Sequence, residues 1–279
     1  MNIRGMNYHV EVHFSGEPLV LLHGFTGSSV NWGPFLKEFK SYQVVLIDML
    51  GHGRTDSPTQ SDRYHMDNVV EDLKVIFEKL NLDSVNLLGY SMGGRIALSF
   101  SAKYPGFVKK LILESSSPGL KRMEEREDRI KKDRYLAEGI VKKGVEAFVN
   151  DWESIPLFQS QLQLPSEIQS LIRLQRLSNT KIGLSNSLIG MGTGSQSSSW
   201  EQLPLLKMPV LLICGELDTK FCEIAKEMDE ILPFSTISEI NRAGHAIHVE
   251  KPRMFGKIVN EFLISETAYK KKEAKPYDN

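Results

Sequence analysis

Five short runs of consecutive apolar residues recur along the chain, and each ends in small or polar residues. The runs are PLVLLHG from residue 18, YQVVLIDM from 42, SVNLLGY from 84, VKKLILES from 108 and PVLLICGE from 209. Their apolar positions are continuous rather than alternating, which is typical of strands buried on both faces of a parallel sheet. The pattern therefore predicts buried strands at these five places.

Between these runs lie segments whose apolar residues recur with helical spacing. The clearest is 67–82, where one stripe holds Val69, Leu73, Ile76, Phe77 and Leu80. Strands and helices in alternation predict an α/β fold with a mostly parallel central sheet flanked by helices. The opening residues 2–14 predict instead a pair of edge strands that turn at Gly5.

The alternation stops between residues 118 and 200, where helical stripes occur without a strong strand signal. One stripe lies in GVEAFVNDW, and SEIQSLIRLQRL predicts another helix with Ser166 as its N-cap. We interpret 118–200 as a helical cap inserted between two sheet strands and lying over the strand ends. The core then comprises 1–117 and 201–265, and 266–279 is a polar tail that we expect to be disordered.

Composition excludes several classes of protein. The 279 residues carry a formal net charge of -1, so no overall field recruits nucleic acid or an anionic membrane. The start lacks the apolar core of a signal peptide, and no apolar window is long enough to span a membrane. Two cysteines are too few for a disulfide framework, and we expect neither a metal nor a cofactor. These features predict a cytoplasmic protein and leave its oligomeric state open.

The stretch LLGYSMGGRIAL places one serine between a predicted strand and a predicted helix. Gly89, Ser91 and Gly93 match the pattern G-x-S-x-G. Small residues on both sides permit a sharp, strained turn that exposes the serine oxygen above the sheet. Ser91 is therefore a candidate nucleophile or base, although a loop rich in small residues can match the pattern by chance.

A serine hydroxyl needs a histidine to activate it and a carboxylate to orient that histidine. In the α/β-hydrolase fold, which this turn resembles, the chain order is serine, acid, histidine. After Ser91 the histidines are His245 and His248, and we select His245, which lies in a loop beside a glycine. CGELDTKF offers Glu216 and Asp218, and we select Asp218 because it lies farther into the loop.

Developing negative charge at such a site requires backbone N–H donors. We assign these donors to Met92, which follows the serine, and to Phe25 in the HGFTG segment. His23 and His52 lie in glycine-containing loops, and we interpret them as structural histidines.

Arg95 lies four residues after Ser91, one helical turn farther along the same face. A guanidinium there is always charged and fits a carboxylate, so it favours an anionic substrate. A solvated arginine paired with a nearby acid is the alternative interpretation.

Several segments together resemble one known superfamily over roughly residues 1–265. HGFTGS, DMLGHGRTDSP, GYSMGGRIAL, CGELDTKF and AGHAIH are similar to α/β-hydrolases. The cap pieces ESSSPGL followed by ER..R, FVNDWE…PLF and GL…SL.GMGTG.Q resemble a single branch. That branch is the 2-succinyl-6-hydroxy-2,4-cyclohexadiene-1-carboxylate synthases of menaquinone biosynthesis.

The resemblance implies a lyase that eliminates pyruvate from a small polycarboxylate substrate without a cofactor. It implies that the catalytic residues are Ser91, Asp218 and His245. It also implies a substrate pocket built from Tyr90, Arg95, Arg129, Trp152 and Arg176. Arg126 and Arg134 lie one helical turn from Arg129, so which of the three enters the pocket stays open.

Two other functions use the same residues. One is a hydrolase that cleaves a small anionic ester or a vinylogous diketone with Ser91 as nucleophile. The other is a non-catalytic receptor that retains the pocket to bind a small ligand. The arginines and the cap segments favour the lyase.

Overall fold

The computed structural model describes residues 1–265, and the predicted tail at 266–279 lies outside the described residues. A strand occurs at each of the five apolar runs, as predicted. The strands are β1 (Asn2–Ile3), β2 (Met6–Asn7), β3 (Val10–His13), β4 (Glu17–Leu22), β5 (Tyr42–Ile47), β6 (Val85–Tyr90), β7 (Val108–Glu114), β8 (Val210–Gly215) and β9 (Ser235–Ile240).

Within residues 1–265, seven strands form the main sheet in the order β3-β5-β4-β6-β7-β8-β9. The edge strand β3 is antiparallel to β5, and the other neighbours are parallel. β1 and β2 form a separate antiparallel pair around Gly5. The predicted mostly parallel sheet is confirmed. β9 was not among the five apolar runs, because its sequence STISEI is mostly polar.

Helices cover both faces of the sheet and fill the region between β7 and β8. They are α1 (Met66–Lys79), α2 (Met92–Lys103), α3 (Met123–Lys143), α4 (Val145–Glu153), α5 (Ser166–Leu177), α6 (Lys181–Met191), α7 (Thr219–Ile231), α8 (Ile247–Glu250) and α9 (Pro252–Ile264). Short 3-10 segments occupy Ser29–Phe39, Ser61–Tyr64, Pro105–Phe107, Pro156–Gln163 and Trp200–Leu205. No helix within residues 1–265 is both long and apolar enough to span a membrane.

The sheet separates two hydrophobic cores, and neighbouring residues of one strand serve different cores. In β4, Val20 and Leu22 pack on the α1 and α2 side, whereas Leu19 and Leu21 pack on the opposite side with Trp32. Both sets are fully buried. Because successive side chains of a strand point to opposite faces, a strand buried on both faces needs an uninterrupted apolar run. This requirement explains the pattern seen in the sequence.

The helices α3 to α6 lie between β7 and β8, which are neighbours in the sheet. The predicted helical insertion is therefore confirmed, while the limits 118–200 stay a prediction. These helices have a small apolar core of their own, made of Ala137, Ile140, Phe148, Val149, Leu184 and Leu188. Ser166 is the first residue of α5 and not its N-cap, because the carbonyl of Pro165 already accepts from the N–H groups of residues 168 and 169.

Candidate active site

Ser91 lies alone between β6 and α2 with φ 51° and ψ −108°, a conformation that L residues rarely adopt. The turn is closed by contacts that leave no room for a side chain at its glycines. A Cβ at Gly89 would lie 2.3 Å from the carbonyl oxygen of Gly93, and a Cβ at Gly93 would lie 2.1 Å from that of Leu22. The Ser91 N–H donates to the Glu114 carbonyl at 2.8 Å. The strained turn is thus held by its neighbours, as the sequence pattern requires.

The structure brings Ser91, His245 and Asp218 into one hydrogen-bonded chain. The Ser91 hydroxyl donates to Nε2 of His245 at 3.0 Å, and Nδ1–H of His245 donates to Oδ2 of Asp218 at 2.6 Å. A carboxylate can only accept, so Asp218 fixes the tautomer that leaves Nε2 facing the serine. His245 is 2% exposed and its ring packs between those of Tyr90 and Phe221. Burial keeps water from competing for these bonds.

The two acids that follow β8 have different partners. Asp218 precedes α7, but its side chain does not cap that helix. The Glu216 carboxylate instead accepts from the backbone N–H of Arg242 at 2.8 Å. The structure therefore brings Asp218, and not Glu216, to the histidine.

His248 lies behind the site and does not contact Ser91. Its Nδ1 lies 2.9 Å from both carboxylate oxygens of Glu114, and its backbone N–H donates to the same carboxylate. Both side chains are almost fully buried. The His248 ring meets the Tyr90 ring edge-on at 4.6 Å, so this pair supports the wall of the site from behind. Glu114 was not predicted as a functional residue, because its only signal in the sequence is its position as an acidic residue at the end of an apolar strand.

The two predicted N–H donors lie beside Ser91. Met92 is the first residue of α2, so its N–H has no partner in the helix. In the part of the chain that the structure describes, neither this N–H nor that of Phe25 donates to a protein acceptor. Both residues line the same cavity as the serine. Their role as donors to a ligand oxygen stays a prediction.

His23 and His52 lie under the loop that carries Phe25. His23 donates from Nδ1 to the Gly24 carbonyl at 2.8 Å and accepts at Nε2 from the Met49 N–H at 2.9 Å. Burial lowers the pKa of His23. Burial and the neighbouring His23 lower the pKa of His52 to about 3. Both rings are neutral at pH 7, consistent with a structural role.

A cavity of about 850 Å³ lies above Ser91, between the sheet and the cap helices. This volume accommodates a small organic acid. The sheet side of the wall includes Phe25, Tyr90, Ser91, Met92, Arg95 and His245, and the cap side includes Arg129, Lys132, Trp152, Phe158, Leu188 and Met191. Most of the predicted pocket residues thus share one cavity.

The Arg95 side chain is part of this wall, and its hydrogen-bond partners are uncharged. Its Nη1 donates to the Met191 carbonyl at 2.6 Å and to Oε1 of Gln196 at 2.5 Å. Among the described residues, no carboxylate lies within ion-pair distance of it. Burial, together with the nearby Arg129 charge, lowers the pKa of Arg95 to about 10, so it remains charged at pH 7. The surface ion pair considered from the sequence is not formed.

Arg129 is the member of its arginine group that reaches the cavity wall. Its Nε donates to Oδ1 of Asp133 at 2.8 Å. The other oxygen of Asp133 is buried and has no hydrogen-bond partner in the described residues, and burial raises the pKa of this acid. Arg126 donates to the Gly194 carbonyl at 3.2 Å, away from the wall, and Arg134 is exposed.

Arg176 does not line this cavity, which corrects its expected place beside Arg95. It lies in an adjoining pocket of about 280 Å³, behind Phe158, whose ring it faces at 4.6 Å. Its guanidinium is 3.4 Å from Oε1 of Glu153 and donates to Gln161 at 2.9 Å. A buried cation needs a counter-charge, and here the cap itself provides it.

Trp152 lies on the cavity wall opposite Phe25, at 5.5 Å between ring centroids. Its indole N–H is buried and has no acceptor among the described residues. Buried indole N–H groups normally have a partner, so this unpaired donor is an exception. The Trp152 ring contributes an aromatic surface from the cap to the cavity.

A family model described as the alpha/beta hydrolase fold matches residues 17–252. The chain belongs to the α/β-hydrolase family. A Bacillus subtilis (strain 168) protein, provisionally named a 2-succinyl-6-hydroxy-2,4-cyclohexadiene-1-carboxylate synthase, is 53% identical over 252 residues, 90% of this chain and 92% of that protein. A Photorhabdus laumondii synthase of the same name is 31% identical over 88% of this chain and 84% of its own. The branch inferred from the cap segments is thereby confirmed.

Solved structures agree with this family. The chain superimposes on MenH from S. aureus with a TM-score of 0.87 and 39% identity, covering 92% of this chain and 97% of the other. A malate-bound thermophilic esterase from Thermogutta terrifontis gives a TM-score of 0.81 at 26% identity, covering 92% and 93%. Relatives named for a lyase and for an esterase thus share this architecture, so a difference in reaction must come from the side chains that line the cavity.

Proposed function

We propose that this protein is a 2-succinyl-6-hydroxy-2,4-cyclohexadiene-1-carboxylate synthase of menaquinone biosynthesis. It eliminates pyruvate from 2-succinyl-5-enolpyruvyl-6-hydroxy-3-cyclohexene-1-carboxylate. The observation that carries the proposal is the half-buried Arg95, which forms no ion pair within the described residues and lies one helical turn from Ser91. The relatives that bear the name of this enzyme support the same activity.

Substrate recognition would rest on charge. The substrate carries three carboxylates, and the cavity wall offers the guanidinium groups of Arg95 and Arg129, of which the second lowers the pKa of the first by its charge. A carboxylate between them would remove this repulsion and accept charge-assisted hydrogen bonds. The Trp152 ring would pack against the substrate. Arg176 would contribute to binding only if its guanidinium left Glu153 and paired with a substrate carboxylate instead.

The chemistry begins at the hydrogen-bonded chain. His245 takes the proton of the Ser91 hydroxyl through Nε2, and Asp218 stabilises the resulting imidazolium. The serine oxygen then removes the ring proton α to the succinyl ketone, acting as a base. The electron pair of the broken C–H bond passes to the ketone oxygen, so no acyl-enzyme forms.

The N–H groups of Phe25 and Met92 would receive the enolate oxygen. Each such donor stabilises the developing charge by about 3 kcal/mol. As the charge returns to the ring, a double bond shifts, the bond from the ring to the enolpyruvyl oxygen breaks, and pyruvate leaves. The ring proton has already restored the Ser91 hydroxyl, so the imidazolium of His245 gives its proton to the departing enolate, which becomes pyruvate, and no cofactor is needed.

The test is incubation with the enolpyruvyl precursor while released pyruvate is measured, with a nitrophenyl ester run in parallel. We expect pyruvate in proportion to the ring product and little ester turnover. Ser91→Ala should stop pyruvate release. Ester turnover without pyruvate would refute the lyase and leave the hydrolase of small anionic esters. Binding of the precursor without turnover of either compound would instead support the receptor.

The hydrolase is a serious alternative because a structural relative is an esterase. Ester hydrolysis would require Ser91 to attack a carbonyl and form a covalent intermediate. Mass spectrometry of the protein after rapid quenching separates the two mechanisms, since only hydrolysis leaves mass on the serine. The cytoplasmic location and the absence of nucleic-acid partners stay predictions.

A further inference from the structure

A second cluster of reactive side chains lies under the first turn of α7, outside the proposed active site. It contains the thiols of Cys214 and Cys222 and the carboxylate of Glu239. The sulfur and oxygen atoms all lie within 4.8 Å of one another. The proposed elimination uses none of the three. No metal was predicted from the sequence, because it has only two cysteines and no C-x-x-C pair.

Regular structure brings the three side chains together. Cys214 in β8 and Glu239 in β9 are register partners, so both side chains project from the same face of the sheet. Cys222 is buried on the side of α7 that packs against this face. Its thiol donates to the Gly215 carbonyl at 3.1 Å. The cluster is therefore carried by a helix and two strands, which hold ligands more firmly than loops do.

We infer that Cys214, Cys222 and Glu239 form a binding site for a thiophilic divalent cation such as Zn²⁺ or Cd²⁺. Two thiolates and one carboxylate are ligands that zinc accepts, and thiolates select it over hard cations. With Zn–S bonds of about 2.3 Å, tetrahedral ligands lie roughly 3.8 Å apart. The observed span of 4.8 Å requires only small side-chain adjustments to reach this spacing. The fourth position is left to water.

The charges of the site balance. Each thiol releases one proton to solvent as its sulfur binds the cation, so two thiolates and one carboxylate surround a charge of +2. The remaining charge of −1 faces Lys226, whose Nζ lies 3.2 Å from Oε2 of Glu239. Both thiols are buried whereas Glu239 is exposed, so the cation enters from the Glu239 side.

Binding ties α7 to β8 and β9 at the turn that follows the proposed catalytic acid. The Cys222 N–H donates to the carbonyl of Asp218 at 3.0 Å, and the Asp218 N–H donates to that of Gly215 at 2.8 Å. A cation that binds only the folded chain raises its stability by mass action. The melting temperature is therefore a readout that does not depend on catalysis.

The experiment uses the full, untagged chain after reduction and removal of the reductant. Cd²⁺ is titrated while the ultraviolet sulfur-to-cadmium charge-transfer absorbance and the melting temperature are followed. We expect the absorbance to saturate at one equivalent and the melting temperature to rise with it. Cys222→Ser should remove the two-sulfur absorbance. Glu239→Gln changes an exposed position and should not endanger folding. It should weaken the apparent affinity for Cd²⁺ at least tenfold but leave the absorbance reached at saturating Cd²⁺ unchanged.

Two controls make the result specific. Glu223→Gln changes an exposed carboxylate next to Cys222 on α7 and should leave both titrations unchanged. Mg²⁺, a hard cation, should produce neither signal. The inference is overturned if Cd²⁺ gives no saturable absorbance with the reduced chain, if Glu239→Gln binds as the unaltered chain does, or if Glu223→Gln is weakened equally.

Discussion

Replacing Arg95 by glutamine tests the central feature of the cavity, a half-buried cation that we propose binds an anionic ligand. Burial and Arg129 lower the pKa of Arg95 from 12.5 to about 10, which corresponds to a penalty of roughly 3 kcal/mol on its charge. A substrate carboxylate would recover a similar free energy when it pairs with the guanidinium. Since 1.4 kcal/mol equals a factor of ten, Arg95→Gln should lower kcat/KM about 150-fold.

Stability should not fall in parallel. Glutamine loses the hydrogen bonds to Met191 and Gln196 but also removes the penalty of the buried charge, so the two effects largely offset one another. We expect the free energy of unfolding, measured by urea denaturation, to change by less than about 1 kcal/mol. Activity is measured as pyruvate released from the enolpyruvyl precursor.

Arg126→Gln is the matched control, because Arg126 also donates to a cap carbonyl but lies away from the cavity wall. Its kcat/KM should stay within about threefold of the unaltered protein, since this half-buried hydrogen bond lies away from the cavity wall and a single hydrogen bond contributes little. The reasoning is refuted if Arg95→Gln retains activity within that same range. It is also refuted if the two variants lose activity equally, because the effect would then come from holding the cap.

The other predictions concern the base, the turn and the response to acid. His245→Gln should reduce kcat by about 10⁴-fold or more with unchanged folding by circular dichroism, and a loss below about tenfold would remove His245 as the base. Gly93→Ala should lower the free energy of unfolding in urea by about 2–3 kcal/mol, because the added Cβ would lie 2.1 Å from the Leu22 carbonyl oxygen. An unchanged free energy of unfolding would contradict the tight turn. The pKa of His52 is lowered to about 3 in the folded chain, so between pH 6.5 and 3 only the unfolded chain binds a proton at this imidazole. The free energy of unfolding therefore falls as the pH drops below 6.5, by up to about 1.4 kcal/mol per pH unit. His52→Gln should make the urea stability profile shallower by that amount, and parallel profiles would rule out this source of acid sensitivity.

Local sequence was sufficient for the five central strands of the sheet and for the turn at Ser91. A strand buried on both faces must be apolar throughout, and a strained turn must be flanked by residues without side chains, so each leaves a short, recognisable pattern. The polar edge strand β9 has no such requirement and escaped detection. Asp218 and His245 were selected from the chain order serine, acid, histidine of the α/β-hydrolase fold, and in the structure each of the three residues follows a strand at the same edge of the sheet.

Contacts between segments distant in the chain decided the rest. The sequence offered several arginines in the cap, but only packing placed Arg129 on the cavity wall and left Arg176 behind Phe158 with Glu153. Packing likewise paired His248 with Glu114 and brought the two cysteines next to Glu239. A side chain's type and spacing fix what chemistry it can do. Which charge it meets, and whether water reaches it, depends on the distant elements that fold against it.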